Sequence, residues 1–421
     1  MIQSLRTWLL LRELRAPLER EQLAALQDRL LREAVEHAYA NVPYYRRLWD
    51  AEGFDAARFG GLGDLSAIPV VPTGRARAAI ESGELFAEGA DPAQRAWFHT
   101  SGASGAALSI PRGPVEQRLW RAIGLRAWLE HGYRWTDVTL RFDSQAAPSH
   151  PLQRLGVSRT IWVSNELPLS ERMEMLAATR PQVVVGTPTV LRRVCALAAD
   201  RATPLARPRV VFSQGEILDA AARDLVERVL GVPPIELYGL TEVGYVGWQC
   251  ERREDLHLNA DVYLVEVLRD RRPADPGELG RVVVTDLRGR TMPLLRYDTG
   301  DLAVAPEDDR CGCGRQLPVL GRIEGRAGGA VVRRDSSLLT TGAIVGGLGG
   351  LLAPGRYRVH QRQDGGLELE LAPGEDAERA VAALTALVGE APTTVSQTLA
   401  PPPESAEKTH SVQSLAPVVL R

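Results

Sequence analysis

From about residue 95 to residue 240 the chain alternates two kinds of segment, and this alternation constrains the fold more than any other feature. Short β-branched runs, TIWVS, QVVVG and RVVFS, are separated by helix-like stretches such as LSERMEMLAATR and AAARDLVERVLG. Strands that alternate with amphipathic helices predict an α/β fold built on a mostly parallel sheet. On either side the pattern changes. LEREQLAALQDRLLREAVEHAYANVP repeats apolar positions at three and four and stops at Val42-Pro43, so residues 1 to about 50 read as helical. From about 260 to 305 the helices stop, and VYLVEVL, GRVVVTDL and GDLAVAP form a β-rich subdomain spaced by Gly and Pro turns. Beyond Arg326, RYRVHQRQ and GLELELAP read as a strand pair around Asp364-Gly365-Gly366, and DAERAVAALTALVGE reads as a helix.

The predicted organisation is therefore a large domain of helix-flanked β-sheets, residues 1–325, whose β-rich part covers about 245–325. A small α+β domain, residues 326–421, follows it. A chain of 421 residues exceeds what one hydrophobic core supports, which agrees with more than one domain. The net charge of -3 gives no electrostatic reason to expect nucleic acid or an anionic membrane surface as a partner. No apolar run approaches the roughly 20 residues that span a bilayer. Arginines and glutamates interrupt the N-terminal MIQSLRTWLLLRELRAPLEREQ, which reads as an amphipathic helix and not as a signal peptide; the expected location is the cytoplasm.

Three stretches carry chemistry. His99 to Gly105, HTSGASG, is a small hydroxyl-rich loop in which Thr100, Ser101, Gly102, Ser104 and Gly105 can bring backbone N–H groups and hydroxyls around phosphate oxygens. Taken alone, such a loop is also what a plain flexible turn looks like, and it lacks the Gly-Lys-Ser ending of a P-loop. SQGE (Ser213 to Glu216) and ELYGLTEVG (Glu236 to Gly244) both follow β-rich runs, which puts them at strand C-terminal ends, where open α/β sheets hold ligands. Tyr238 offers a ring that stacks on a base, and Thr241 and Glu242 offer hard oxygens suited to Mg²⁺. In LLRYDTGDLA, Asp301 ends a tight turn and can accept two hydrogen bonds from a ribose diol; the same run also fits a solvated hairpin turn.

Three of the four cysteines and one histidine form a further constellation. Cys250 and His257 stand in QCERREDLHL, and Cys311 and Cys313 in RCGCGR. Three thiolates and one imidazole close a tetrahedral structural zinc site, and four protein ligands leave no open position for catalysis. The other reading leaves Cys250 and His257 unrelated. Cys195, in VCALAA, reads as a small core residue. His99 either lines an acyl pocket or is structural, and Trp97, Trp120, Trp128, Trp135 and Trp162 read as packing residues or as the floor of an aromatic pocket.

TSGASG, YGLTE, RYDTGD and the Gly-Arg pairs, in that order, resemble the signatures of adenylate-forming enzymes: acyl-CoA synthetases, adenylation domains of peptide synthetases and luciferases. AYANVPYYRRLWDAEGFD, LSAIPVVPTGRAR and CGCGRQLPVLGRIEGR are similar to the phenylacetate–CoA ligase family and its capsule-biosynthesis-like relatives. The resemblance runs from about residue 30 to 421. It implies that Thr100 to Gly105 hold the ATP triphosphate, that Gly215 and Glu216 border the adenine, and that Tyr238, followed by Gly239, stacks on it. Thr241 would touch the α-phosphate, Glu242 would hold Mg²⁺ and Asp301 the ribose. Arg326, with Arg322 one turn earlier, would contact the nucleotide beside a hinge that makes the terminal domain mobile. Family relatives carry a similar Cys…His…Cys-x-Cys set.

The resemblance also explains an oddity of composition. Of 50 lysines and arginines only one is a lysine, Lys408 in AEKTHSV, and it matches the family's C-terminal catalytic lysine. A compact ammonium on a flexible stem suits a group that must reach both a carboxylate and an α-phosphate; a planar guanidinium fork does not. The implied reaction is ATP-dependent activation of a small carboxylic acid as an acyl-adenylate, with transfer to coenzyme A, a carrier-protein thiol or an amine. The competing reading is a catalytically quiet relative that binds ligand as a partner subunit; the joint presence of Glu242, Asp301, Arg326 and Lys408 argues against it. Two departures from the family pattern stand out: Ala327-Gly328-Gly329 replaces the acidic hinge after Arg326, and Glu407 replaces the glycine before the lysine. The acid itself is not named by the sequence, which points only to the neighbourhoods of Phe142-Asp143 and Ser213-Gln214.

Overall fold

Val183–Gly186 is buried along its whole length, as a β-branched strand inside a parallel sheet must be. In the computed structural model it lies between Thr139–Phe142 and Val210–Gln214, both parallel to it, with Val183 opposite Thr139 on one side and Val210 on the other. Thr160–Val163 adds outside Thr139–Phe142, and Ile235 to Leu237 add outside Val210–Gln214, all parallel. The structure describes residues 2–16, 18–89, 96–99, 108–143, 151–353, 355–389, 392–400, 402–406, 408–409, 411–416, 418 and 420. It divides into two compact units, Met1–Glu130 with Tyr238–Arg322, and His131–Leu237 with Ile323–Arg421.

The parallel strands belong to the second unit. Helices Leu169–Thr179, Pro188–Asp200 and Ala220–Leu230 connect them, as the alternation predicted. Val184 and Val211 from the sheet pack with Val190, Leu191, Val194, Val226 and Leu230 from the helices, and Cys195 sits in this core, its thiol pushed up to about 12 by burial. Two of these helix starts are capped by a side chain. Thr187 caps Pro188–Asp200, with proline in its first turn, and Asp219 caps Ala220–Leu230. Residues 331–412 of the same unit have a core of their own. Tyr357–Gln361 and Leu367–Leu371 form the expected antiparallel pair, and Gly365 takes a φ of 86° in the turn between them. Helix Ala377–Val388 supplies Ala380, Leu384 and Val388 to that core, together with Leu348, Leu369 and Leu371. The lysine tail returns as Val412–Ser414, parallel to Tyr357–Gln361, an ordered edge strand that its proline-flanked composition does not suggest.

The first unit begins with helices Ile2–Leu14, Arg20–Asn41 and Pro43–Glu52; the break between the last two falls at Val42-Pro43. Tyr45 is fully buried, and its hydroxyl donates to Pro293 O (3.1 Å) and accepts from Leu295 N (2.8 Å), fastening the helix to the β-rich part. That part is an antiparallel sheet ordered Arg272–Pro273, Tyr263–Arg269, Leu279–Asp286, Tyr297–Val304. Helix Pro114–Glu130 is tied in by Arg126, which is 3% exposed and donates to both Asp261 oxygens (2.9 and 2.5 Å), to Asn259 Oδ1 (2.9 Å) and to Leu14 O. Two tryptophans depart from the packing expectation: Trp97 is 47% and Trp135 40% exposed. Among the described residues no helix is long and apolar enough to cross a membrane.

Candidate active site

The predicted nucleotide residues fall into two groups, one in each unit. In the first unit, strand Ile235–Leu240 carries Tyr238 and Gly239, and Thr241 and Glu242 follow directly. The turn into Gly244–Gln249 is built on glycine. A Cβ on Gly239 would stand 2.7 Å from Gly244 O, and one on Gly244, whose φ is 98°, would enter the Trp120 indole. Trp120 Nε1 and Tyr263 Oη both donate to Val243 O, and Arg112 donates to Thr241 O while lying over the Trp120 ring. Burial pushes the Arg112 guanidinium down to about 9, with Tyr263, Asp286, Glu116 and Glu242 acting against that shift. Tyr297 Oη donates to Glu242 Oε1 at 3.4 Å.

Asp301 requires a correction. It ends no turn and belongs to no solvated hairpin: it lies inside strand Tyr297–Val304 and is 7% exposed. The Asp-Thr-Gly-Asp run makes an irregularity within the ladder. Pairing with Leu279–Asp286 shifts register between Arg281 and Val283, and Gly300 takes a φ of 78°. Thr299 Oγ1 donates to Val282 O (3.0 Å) and accepts from Asp301 N (3.1 Å). Glycine and aspartate mark turns and bulges alike, because both need the same backbone freedom. The bulge re-aims Asp301, whose Oδ2 accepts from Tyr238 Oη at 2.8 Å.

In the second unit, Gly215 and Glu216 follow strand Val210–Gln214, as expected. Glu216 lies at the N-terminus of helix Pro188–Asp200, where Thr189 N donates to Oε2 (3.0 Å) and Thr189 Oγ1 to Oε1 (3.0 Å). Thr409 N donates to Oε1 at 2.7 Å. Lys408 lies against the same turn; a Cβ on Gly215 (φ 81°) would stand 3.3 Å from its Cε and Nζ. Burial raises the Glu216 carboxyl above its ordinary range, against the pull of these hydrogen bonds and of the Lys408 charge. The preceding tail is clamped too. Arg172 Nη2 donates to Glu404 O (2.6 Å), Arg193 Nη1 to Pro403 O (3.0 Å) and Glu404 O (3.3 Å), and Leu169 N to Glu404 Oε2 (2.8 Å). Ser213, at the strand end, is 2% exposed, and its hydroxyl has no hydrogen-bond partner among the described residues.

Arg322 and Arg326 are both exposed. Arg322 O accepts from Val304 N (3.1 Å) in the first unit. Arg326, in the second, ends strand Ile323–Arg326 and leads into the short turn Ala327–Gly329, whose Gly329 O accepts from Thr341 Oγ1 at 2.9 Å. Thr100, Ser101, Gly102, Ser104 and Gly105 lie outside the described residues, as does Glu407. The strands on either side of that loop, Ala96–His99 and Ser109–Arg112, pair antiparallel, with His99 Nδ1 3.1 Å from Ser109 Oγ.

Cys250, His257, Cys311 and Cys313 converge in the first unit, their ligand atoms all within 4.8 Å of one another. Cys250 Sγ lies 3.7 Å from Cys311 Sγ, and Cys313 Sγ lies 3.3 Å from His257 Nε2. Zinc–sulfur bonds of about 2.3 Å at a tetrahedral angle put thiolates about 3.8 Å apart, so the residues fit this ion. Burial pushes the Cys311 thiol up to about 12 and the His257 imidazole down to about 4.

Residues 155–286 match the family model described as AMP-binding enzyme. The chain is 30% identical over 342 residues to the phenylacetate–coenzyme A ligase of Thermus thermophilus, covering 77% of this chain and 75% of that protein. The chain belongs to the phenylacetate–CoA ligase family of adenylate-forming enzymes. Another member, from Escherichia coli, is 26% identical over 332 residues, covering 75% of this chain and 73% of its own. The fold is shared with 2-hydroxyisobutyryl-CoA ligase in its postadenylation state with an acyl-AMP, at a TM-score of 0.73 and 19% identity, covering 94% and 90% of the two chains. It is shared more distantly with an anthranilate CoA ligase in complex with anthranoyl-AMP, at a TM-score of 0.54 and 15% identity, covering 74% and 65%.

Family motifs located Glu216 and Lys408 but none of the residues that hold them. Thr189, Arg172 and Arg193 lie more than two hundred residues from the tail, and no local pattern joins them to it. The one local signal was Thr187-Pro188, a helix-start signature that places Thr189 in the first turn.

Proposed function

We propose that this phenylacetate–CoA ligase family member activates a compact or aryl carboxylic acid with ATP and Mg²⁺, releases pyrophosphate and passes the acyl group to coenzyme A. The observation that carries this reading is the chain's one lysine lying against the Gly215 turn, with Thr409 bonded to Glu216. A carboxylate is a weak nucleophile toward an anionic triphosphate. The protein therefore has to align it with the α-phosphorus and neutralise the charge that develops as pyrophosphate leaves. Lys408 supplies a cation for both groups. Glu242 and Thr241 hold Mg²⁺ and the α-phosphate, Asp301 the ribose, and Tyr238 with Gly239 one face of the adenine. Gly215 and Glu216 border the adenine, Arg322 and Arg326 contact the nucleotide beside the hinge, and Thr100 to Gly105 wrap the triphosphate. Cys250, His257, Cys311 and Cys313 hold a structural zinc, and residues 326–421 act as the mobile domain that carries Lys408.

Ser213, with its unpartnered buried hydroxyl, and Phe142 contribute to the acid pocket. An ATP–pyrophosphate exchange screen over aryl, amino and short-chain acids tests the reading, followed by mass spectrometry of products formed with coenzyme A, a carrier protein or amines. Acid-dependent exchange and an acyl-CoA product are expected. Exchange that ends in an amide would reassign the acceptor. Ligand binding with no exchange for any acid would support the quiet relative instead.

A further inference from the structure

The turn after strand Val210–Gln214 is expected to border the adenine, yet its carboxylate is engaged elsewhere. Glu216 accepts three hydrogen bonds: Thr189 N and Thr189 Oγ1 at 3.0 Å each, and Thr409 N at 2.7 Å. The first two anchor it. Thr189 stands in the opening turn of a 13-residue helix, whose N-terminus favours a negative charge. So fixed, the carboxylate presents Oε1 to the backbone immediately after the catalytic lysine. Thr189 Oγ1 also lies 3.2 Å from Thr409 Oγ1, so one buried threonine touches both halves of the contact.

Resting on the function proposed above, we propose that Glu216 and Thr189 form a latch that holds the Lys408 segment in position for acyl-adenylate formation. Lys408 is tethered close to the latch on both sides. Toward the N-terminus, Arg172 and Arg193 grip the carbonyls of Pro403 and Glu404. On the other side is the bond from Thr409 to Glu216. The hydrogen bonds that hold the tail run between backbone carbonyls, carboxylates, hydroxyls, N–H groups and guanidinium groups of the two segments. Glu216 and Thr189 are positioning residues in this scheme: they act on the acid and on ATP through Lys408.

The test uses the full-length protein carrying Thr189→Val, which keeps the shape and removes the hydroxyl, Thr189→Ser, which restores it, and Glu216→Ala. In hydrogen exchange without ligands, the amide of Thr409 is expected to be protected in the unmodified protein and to lose most of that protection in Glu216→Ala. In acid-dependent adenylation, Thr189→Val and Glu216→Ala are expected to lower kcat roughly ten- to hundredfold, the range for hydrogen bonds to a charged group. In Thr189→Val the ATP KM stays within about twofold and the transfer of acyl from supplied acyl-adenylate to coenzyme A proceeds at the unmodified rate, with Thr189→Ser restoring adenylation. Unchanged Thr409 exchange in Glu216→Ala overturns the latch whether or not the protein turns over. A raised ATP KM with unchanged kcat in Thr189→Val also overturns it, since this would make the network a nucleotide site. Failure of the unmodified protein to adenylate any acid would refute the function and leave the exchange experiment to decide the latch.

Discussion

Tyr238 Oη donates a 2.8 Å hydrogen bond to Asp301 Oδ2, joining the residue expected to stack on the base to the one expected to hold the sugar. The two sit on separate strands, and the bulge at Thr299–Asp301 brings the Asp301 carboxylate to Tyr238 on Ile235–Leu240. The hydroxyl occupies one acceptor site of the carboxylate and holds its rotamer, so the remaining oxygen is ordered in advance for the ribose diol that Asp301 is proposed to bind. We predict that Tyr238→Phe, which keeps the ring, raises the ATP KM about tenfold, the cost of one hydrogen bond to a charged group. The kcat is expected to change much less. Steady-state kinetics with ATP varied checks this, and an unchanged KM would remove the pair from the nucleotide site.

Lys408 is expected to be indispensable for adenylation and dispensable for holding ATP. We predict that Lys408→Ala abolishes acid-dependent pyrophosphate exchange while ATP affinity, followed by calorimetry, changes little. Lys408→Arg should not rescue, because the planar fork cannot occupy the space beside Gly215 that the ammonium fills, where even a glycine Cβ would approach to 3.3 Å. A Lys408→Ala protein that adenylates at the unmodified rate would sink the assignment.

The parallel sheet, its three helices, the β-rich part and the terminal strand pair were legible because each depends on local periodicity. Val183–Gly186 and Ala220–Leu230 announce themselves within a few residues. Asp301 was harder: Asp-Thr-Gly-Asp is the same local signal for a turn and for a bulge, and only the partner strand Leu279–Asp286 decides between them. The tail was opaque for a different reason. Ahead of strand Val412–Ser414 it is held by Arg172, Arg193, Thr189 and Glu216, polar contacts across great sequence distances that leave no hydrophobic pattern. Cysteine and histidine spacing, in contrast, foretold the cluster of Cys250, His257, Cys311 and Cys313, since few other side chains serve that chemistry.

That cluster yields a metal prediction. Protein purified without chelator should contain one zinc per chain by elemental analysis. Cys311→Ser should lose it and shift the thermal midpoint downward, because the buried Cys250 thiol, the half-buried Cys313 thiol and the His257 imidazole are left facing one another without a cation. Since no ligand position is open, chelation is expected to act through stability, with adenylation failing only as the protein unfolds. Full stability of a zinc-free protein would exclude a structural role.

The tie between helix Pro114–Glu130 and the Asn259–Asp261 loop offers a test of stability away from the chemistry. Arg126 and Asp261 are each 3% exposed, and Asp261 takes two of the guanidinium's hydrogen bonds. Asp261→Ala leaves a buried cation with only Asn259 Oδ1 and the Leu14 carbonyl, and breaking such a pair from one side costs about 3–5 kcal/mol. Removing both charges costs less, because the desolvation they required disappears with them. In urea unfolding, Asp261→Ala is therefore expected to lower the midpoint strongly, and Arg126→Met combined with Asp261→Ala to recover much of the loss. A double variant as unstable as the sum of the singles would show that the two residues do not act as a pair.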